Sequence, residues 1–159
     1  MKLKVIIVDD ESHARSYLSK LCNLYFNDKL EVVDTCDSVE SAVASIKTYN
    51  PDIVFLDIQM PFMDGLSLCH ILKQEMPQIH IIIMSGFDDF EYARRAITEG
   101  VDRYLSKPVT RKDMKEALEE LRQKIETDRE QQSFIDQYQL ESREYEQFQR
   151  RKFLESVFG

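Results

Sequence analysis

The sequence predicts an α/β fold in which a parallel sheet of five strands carries helices on both faces. Short apolar runs, largely of β-branched residues, alternate five times with segments of helical spacing over residues 1–110. Such alternation favours parallel strands joined by right-handed helical connections. From residue 111 onward the strand pattern disappears, and the chain predicts a C-terminal helical extension.

The first two strand–helix units occupy residues 1–50. Residues 3–8 form the first predicted strand, and residues 30–35 form a second, more mixed strand that suits a sheet edge. Ser38 is the candidate N-cap of the second helix, and the dipeptide at residues 50–51 ends it. The apolar helix positions are Ala14, Tyr17, Leu18 and Leu21 in the first helix and Val39, Ala42, Val43 and Ile46 in the second.

The third strand covers residues 53–57 and is apolar throughout until it delivers Asp57 at its C-terminal end. Such a run predicts a strand that is buried on both faces. A fourth strand follows at residues 79–84 and a fifth at residues 101–105, and Gly100 is the candidate C-cap between them. The intervening helices carry apolar residues at Leu68, Ile71 and Leu72, and at Phe90, Ala93 and Ile97.

Five strands fit the flavodoxin-like, doubly wound order 2-1-3-4-5 better than the six-stranded Rossmann order. Neither GxGxxG nor GxxxxGK[ST] occurs, so dinucleotide binding and P-loop chemistry are not supported. In the flavodoxin-like order, the C-terminal ends of strands one, three, four and five converge. Ligands bind beyond those ends in open α/β sheets.

The converging strand ends present Asp9, Asp10, Asp57, Ser85 and Lys107. Three carboxylates in one crevice repel one another, and a hard divalent cation such as Mg²⁺ would neutralise them. Lys107 adds a positive charge and Ser85 a hydroxyl group, both suited to a phosphoryl group. An aspartate can attack phosphorus, and Asp57 is the best candidate because it lies on the central strand. Each residue alone is an ordinary cap or turn residue, but the joint pattern favours function.

Four segments resemble the receiver domain of two-component response regulators. They are VDDE at residues 8–11, LDIQMP at 56–61 with Asp64 and Gly65 beyond it, MSG at 84–86, and YLSKP at 104–108. The resemblance covers residues 1–125 in order and at the family's spacing. It implies a CheY-like fold and phosphorylation of Asp57 by a partner histidine kinase.

The resemblance also implies a role for each residue of the site. Mg²⁺ would be bound by Asp10 and Asp57, by the backbone carbonyl of Gln59, and by Asp9 directly or through water. The remaining roles belong to Ser85 as the switch hydroxyl, Lys107 as the phosphate-binding lysine with a cis bond to Pro108, and Tyr104 as the aromatic side chain that reports the state. The domain would catalyse only its own phosphorylation and slow hydrolysis. A true phosphatase is disfavoured, since such enzymes need a second acid where this chain has Gln59.

Phosphorylation is expected to alter one face of the domain, formed by residues 88–99, the fifth strand and the helix from residue 112. The charged residues of that face are Asp88, Asp89, Glu91, Arg94, Arg95 and Arg103. Their mixed signs suit a self-complementary contact, so a homodimer is one expectation. A solvated charged face is the alternative.

Residues 126–159 are predicted to be a partly interrupted helical linker after a receiver domain at residues 1–125. The core-facing stripe before it consists of Met114, Ala117, Leu118, Leu121 and Ile125. Residues 87–93 and 151–155 look like AraC-type (YesN-like) regulators, which implies a DNA-binding domain missing here. One alternative is a complete protein whose extension pairs with its own copy. Another is a stand-alone receiver or phosphorelay module that acts through protein contacts.

Composition narrows the class of protein further. The net charge of −8 lacks the basic footprint of a nucleic-acid binder, so any DNA contact must come from outside these 159 residues. Neither a membrane-spanning run nor a signal peptide is recognisable, so a cytoplasmic location is expected. Cys22, Cys36 and Cys69 show no metal or disulfide spacing and are expected to be reduced and mostly buried.

Overall fold

The computed structural model describes residues 2–60, 65–86, 90–98 and 100–158; for residues 90–93 and 158 it describes the backbone only. The chain divides into two compact units, Met1–Ala117 and Leu118–Gly159. The elements are β1 (Leu3–Val8), α1 (Ser12–Tyr25), β2 (Leu30–Cys36), α2 (Val39–Tyr49), β3 (Ile53–Asp57), α3 (Gly65–Glu75), β4 (His80–Ser85), α4 (Phe90–Thr98), β5 (Arg103–Ser106) and α5 (Arg111–Phe158).

The five strands form one parallel sheet in the order β2-β1-β3-β4-β5, which confirms the predicted doubly wound fold. Strands β3 and β4 are buried at every position, as their continuous apolar sequences require. Strand β2 lies at the edge, as its mixed composition predicted. The three cysteines are free and buried, as expected.

Local capping explains where the helices begin and end. The Ser38 hydroxyl accepts a hydrogen bond from the Ser41 backbone N–H at 3.2 Å, and the reciprocal bond completes a capping box for α2. After α4, Gly100 has a φ of 89° and Val101 donates its N–H to the Ala96 carbonyl. That bond is the Schellman arrangement, and the left-handed conformation explains why glycine stands there.

Strand β5 begins at Arg103, two residues later than the sequence predicted. The Val101 backbone N–H takes part in the C-cap of α4 and is not available to the sheet. The Asp102 backbone N–H donates to the Ile81 carbonyl, and the Asp102 carboxylate accepts from the Ile81 N–H. Three side chains assigned to apolar helix faces are also exposed: Tyr17 at 46%, Ile71 at 48% and Ile97 at 63%. In α3 and α4, Cys69 and Ala96 are fully buried. The buried sides of α3 and α4 therefore include two small residues that the apolar spacing did not predict.

Helix α5 is continuous from Arg111 to Phe158, so the predicted interruption after residue 125 was wrong. No proline or glycine lies within this helix, and these are the residues that usually break one. All five residues of its predicted core-facing stripe, Met114, Ala117, Leu118, Leu121 and Ile125, are buried. Among the described residues, no helix is long and apolar enough to cross a membrane.

Several sequence expectations lie outside the described residues. They concern Pro61 and Asp64 in the second motif segment, Phe87, and the acidic pair Asp88 and Asp89; the side chains of Phe90, Glu91 and Ala93 are likewise not described. Of the charged face expected to respond to phosphorylation, Arg94 and Arg95 are exposed, and Arg103 forms an ion pair with Glu116 at 3.7 Å.

A buried charged cluster joins β4, β5 and α3 at the end of the sheet where β4 begins. The Asp102 carboxylate, which is 2% exposed, accepts hydrogen bonds from the Ile81 backbone N–H and from Lys73 Nζ, and it lies 3.0 Å from His80 Nδ1. Lys73 also donates to the Ile79 carbonyl at 2.6 Å. One carboxylate thus connects three partners and fixes the start of β5.

Replacing Asp102 with Ala is expected to lower the free energy of unfolding by about 3 kcal/mol, because it leaves buried donors without an acceptor. Urea unfolding of the whole chain measures this difference. Asp28→Ala is the control, since Asp28 is exposed and its removal should change stability by no more than about 0.5 kcal/mol. Equal stability of the two variants would contradict a structural role for the cluster.

Candidate functional site

The C-terminal ends of the strands bring the predicted site residues together. Asp9 follows β1, Asp57 ends β3, Ser85 ends β4 and Lys107 follows β5. Register places Asp57 beside Met84, and the Lys107 backbone N–H donates to the Ser85 carbonyl at 2.7 Å. The predicted strand order therefore produces the crevice that the sequence predicted.

Lys107 is the centre of this crevice. Its ammonium nitrogen lies 2.7 Å from Asp9 Oδ2 and 3.2 Å from Asp57 Oδ2, so one cation bridges carboxylates from β1 and β3. Asp9 is fully buried and Asp57 nearly so, whereas Asp10 is exposed. A cis peptide bond joins Lys107 to Pro108, as the resemblance implied.

Backbone amides fix the two buried carboxylates from the other side. The Glu11 N–H donates to Asp9 Oδ1, and the Gln59 N–H donates to Asp57 Oδ1, both at 3.0 Å. In each case a side chain accepts from the amide two residues later, a turn that aspartate forms readily. The Oδ2 atoms of both carboxylates are thereby directed toward Lys107.

The site favours additional positive charge. Burial raises the pKa of Asp57, and the neighbouring Asp9 carboxylate adds to that rise, against the lowering effects of the Gln59 amide and Lys107. For Lys107, burial acts to lower the pKa, but its bonds to Asp9 and Asp57 prevail and raise it. The raised pKa of Lys107 therefore reflects the two carboxylates around it, whereas the raised pKa of Asp57 reflects chiefly its burial.

The carboxylates are spaced as a metal site requires. One oxygen from each of Asp9, Asp10 and Asp57 lies within 4.8 Å of the other two. Carboxylate oxygen is the ligand that Mg²⁺ prefers, and a solvent-facing residue such as Asp10 leaves room for the waters that this ion keeps. The residues present therefore fit a hard divalent cation, which would also offset the excess of negative charge that three carboxylates leave beside one lysine.

The two predicted switch residues lie on neighbouring strands beside this crevice. Ser85 is buried at the end of β4, and Tyr104 is partly buried on β5, where it packs against the core cluster. Register pairs Tyr104 with Ile83, two residues before Ser85.

Three contacts at the site were not predicted from the sequence. The Gln59 side-chain oxygen accepts a hydrogen bond from the Gly86 N–H at 3.0 Å and ties the loop after β4 to the loop after β3. Arg15 donates to the Asp9 carbonyl at 2.7 Å, and the Tyr17 hydroxyl donates to the Val109 carbonyl at 2.6 Å. The Gln59–Gly86 and Tyr17–Val109 contacts join residues far apart in the chain, and no sequence motif marks any of the three contacts.

Comparison with known proteins agrees with this geometry. Residues 5–119 match the family model described as the response regulator receiver domain. The chain is 39% identical over 121 residues to the transcriptional regulatory protein BtsR of Salmonella typhi, covering 76% of this chain and 48% of that protein. It is 31% identical over 118 residues to the response regulator protein VraR of Staphylococcus aureus, covering 74% of this chain and 56% of that protein. The chain thus spans about half the length of the curated relatives it matches.

Solved structures give the same result. The receiver domain of AraT, a response regulator from Geobacillus stearothermophilus, superposes with a TM-score of 0.73 at 33% identity. The similarity covers 81% of this chain and 99% of that domain. Together with the strand order and the converging acidic and basic residues, these matches show that the chain belongs to the response regulator receiver family.

Proposed function

We propose that Asp57 accepts a phosphoryl group from a sensor histidine kinase and thereby switches the state of the domain. The observation that carries this proposal is the Lys107 bridge, which holds a buried aspartate beside a second acid at the end of the central strand. Oδ1 of Asp57 is held by the Gln59 amide, so Oδ2 is the oxygen directed toward the crevice. An anchored carboxylate of this kind is a suitable nucleophile for phosphorus.

In the proposed transfer, an Asp57 oxygen forms a bond to phosphorus while the bond from phosphorus to the kinase histidine nitrogen breaks. The electron pair of that bond stays on the imidazole, which takes up a proton. Lys107 would hold an oxygen of the phosphoryl group and offset its negative charge. Asp10 and Asp57, with Asp9 and the Gln59 carbonyl, would hold Mg²⁺, which supplies charge neutralisation when bound.

Phosphorylation adds roughly −1.5 to −2 charges and three acceptor oxygens at Asp57. Ser85 would move to donate its hydroxyl to one of these oxygens, which requires the Gln59–Gly86 hydrogen bond to adjust. Tyr104 would then occupy the space beside β4. The surface of α4, β5 and the start of α5 would change with it and favour a homodimer.

The signal would leave through a part of the protein beyond these residues. The relatives BtsR and VraR, named as regulators, are about twice as long as the matched segment. We infer a cytoplasmic transcription regulator with a receiver at 1–125, a helical linker at 126–159 and a C-terminal DNA-binding domain of the AraC type. The alternative is a stand-alone receiver acting through protein contacts; a stop codon directly after Gly159 would favour it. In neither case is the domain an enzyme in the ordinary sense.

Incubation with a labelled small-molecule phosphoryl donor is expected to label the wild-type chain only when Mg²⁺ is present. Asp57→Asn should abolish labelling, because the amide lacks the nucleophilic oxygen. Asp28→Asn, which changes an exposed acid, should be labelled like wild type. Stable label on the Asp57→Asn chain would refute the assignment of the phosphoacceptor.

Lys107→Ala is expected to have opposite effects on Mg²⁺ affinity and on the rate of phosphorylation. Removing the ammonium leaves Asp9 and Asp57 without their counter-charge, so Mg²⁺ should bind several-fold more tightly by calorimetry. The rate of labelling should fall instead, since the incoming phosphoryl group loses its lysine partner. Lys47→Ala, on the exposed last turn of α2, should change neither quantity. Weaker Mg²⁺ binding by Lys107→Ala would contradict the electrostatic account.

In metal-free buffer at pH 7, Asp57→Asn is expected to be more stable than wild type in urea unfolding. The folded-state pKa of Asp57 is raised, so its ionised form destabilises the fold above the unfolded-state pKa near 3.8. The advantage of the Asn variant should shrink as the pH falls toward 4 and vanish below it. A variant that is less stable than wild type at pH 7 would show that Lys107 outweighs burial and repulsion.

A further inference from the structure

Residues 126–157 of α5 are exposed at every position, although this segment carries many large apolar side chains. Phe134 is 74% exposed, Tyr138 66%, Tyr145 63% and Phe148 51%. A solvated helix derives little stability from propensity alone, and exposed aromatic groups in a row commonly mark a contact surface. This segment therefore presents a row of exposed aromatic side chains that is suited to binding another surface.

These four aromatic residues form one stripe together with two charged residues. Successive members are separated by four, three, four, three and four residues: Phe134, Tyr138, Glu141, Tyr145, Phe148 and Lys152. At the pitch of an α-helix, all six lie within an arc of about 80°. This is the spacing of the seam of a coiled coil. We call these six residues the aromatic stripe. Five other exposed apolar residues lie outside it: Ile135, Leu140, Phe153, Leu154 and Val157.

Contacts within the helix hold the charged groups beside the rings. Lys152 Nζ lies 4.9 Å from the centre of the Phe148 ring, and the Gln137 side chain donates to Glu141 Oε1 at 3.0 Å. The Gln149 side chain donates to the Tyr145 hydroxyl at 2.8 Å. Glu141 and Lys152, of opposite charge, thus flank Tyr145 and Phe148 along the stripe.

The order of charges along the aromatic stripe determines which orientation of a second copy is favourable. Glu141 and Lys152 lie at equal distances on either side of Tyr145 and Phe148, with opposite signs. A second copy aligned in parallel would place Glu141 against Glu141 and Lys152 against Lys152, which is unfavourable in an interface. An antiparallel copy places Glu141 against Lys152 twice. The stripe is therefore complementary to itself in one direction only.

We propose that the aromatic stripe pairs antiparallel with the same stripe of a second copy of this chain. In this register Tyr145 faces Phe148 of the partner subunit twice, and aromatic pairs of this kind are favourable in offset or edge-to-face contact. The next layer sets the Tyr138 hydroxyl, a donor, against the carboxylate of Glu155, an acceptor. Sliding the copies by one heptad would lose both Glu141–Lys152 pairs. The pairing does not depend on phosphorylation of Asp57.

Sedimentation equilibrium of the full 159-residue chain carrying Asp57→Asn tests this without any contribution from phosphorylation. The chain is expected to show a monomer–dimer equilibrium between micromolar and near-millimolar concentration. Adding Glu141→Lys places a lysine opposite Lys152 in both Glu141–Lys152 layers and should weaken the dimer roughly tenfold or more. Adding Lys152→Glu to that variant should restore it, because the two charges have only exchanged places.

Glu146→Lys is the matched control, because it makes the same charge change on a residue outside the stripe and should leave the dimer intact. Circular dichroism should show equal helix content in all variants. A monomer at every concentration would overturn the proposal and leave the stripe for another partner. A dimer that is indifferent to Glu141→Lys, or is not restored by the double exchange, would overturn the antiparallel register. Failure of phosphorylation at Asp57 would change none of these results.

Discussion

The burial of an aspartate at the end of the central strand is the constraint on which the site depends. Strand β3 is buried along its whole length, so Asp57 reaches the crevice with almost no exposure to water. A carboxylate in that position costs free energy unless positive charge or hydrogen-bond donors surround it. The Gln59 amide, the Lys107 ammonium and the convergence of four strand ends are all needed to satisfy that one group.

Much of this arrangement could be predicted because it follows from patterns that are local in sequence. The bounds of β1 agree with its apolar run, and Ser38 and Gly100 cap helices where their chemistry indicated. Once the strand order was chosen, the convergence of Asp9, Asp57 and Lys107 followed without further information. A parallel sheet places the carboxyl ends of all its strands at one edge, so the strand order alone brings these residues together.

The parts that could not be predicted depend on contacts between residues far apart in the chain. The start of β5 moved because Asp102 bonds to β4 and α3, and the bond between Gln59 and Gly86 joins two loops. On α4, the burial of Ala96 and the exposure of Ile97 were likewise not evident from the apolar spacing. In α5 the error was of another kind, since residues 126–159 were predicted to be a partly interrupted helix although they contain good helix formers and neither proline nor glycine before Gly159.

The fixed position of Lys107 has a consequence for ion selectivity. Three carboxylates share the crevice with one ammonium, so two negative charges remain uncompensated. A divalent ion matches that remainder, whereas a monovalent ion would leave the crevice anionic and a trivalent ion would make it cationic. The net charge of these four side chains would therefore be neutralised by one divalent ion.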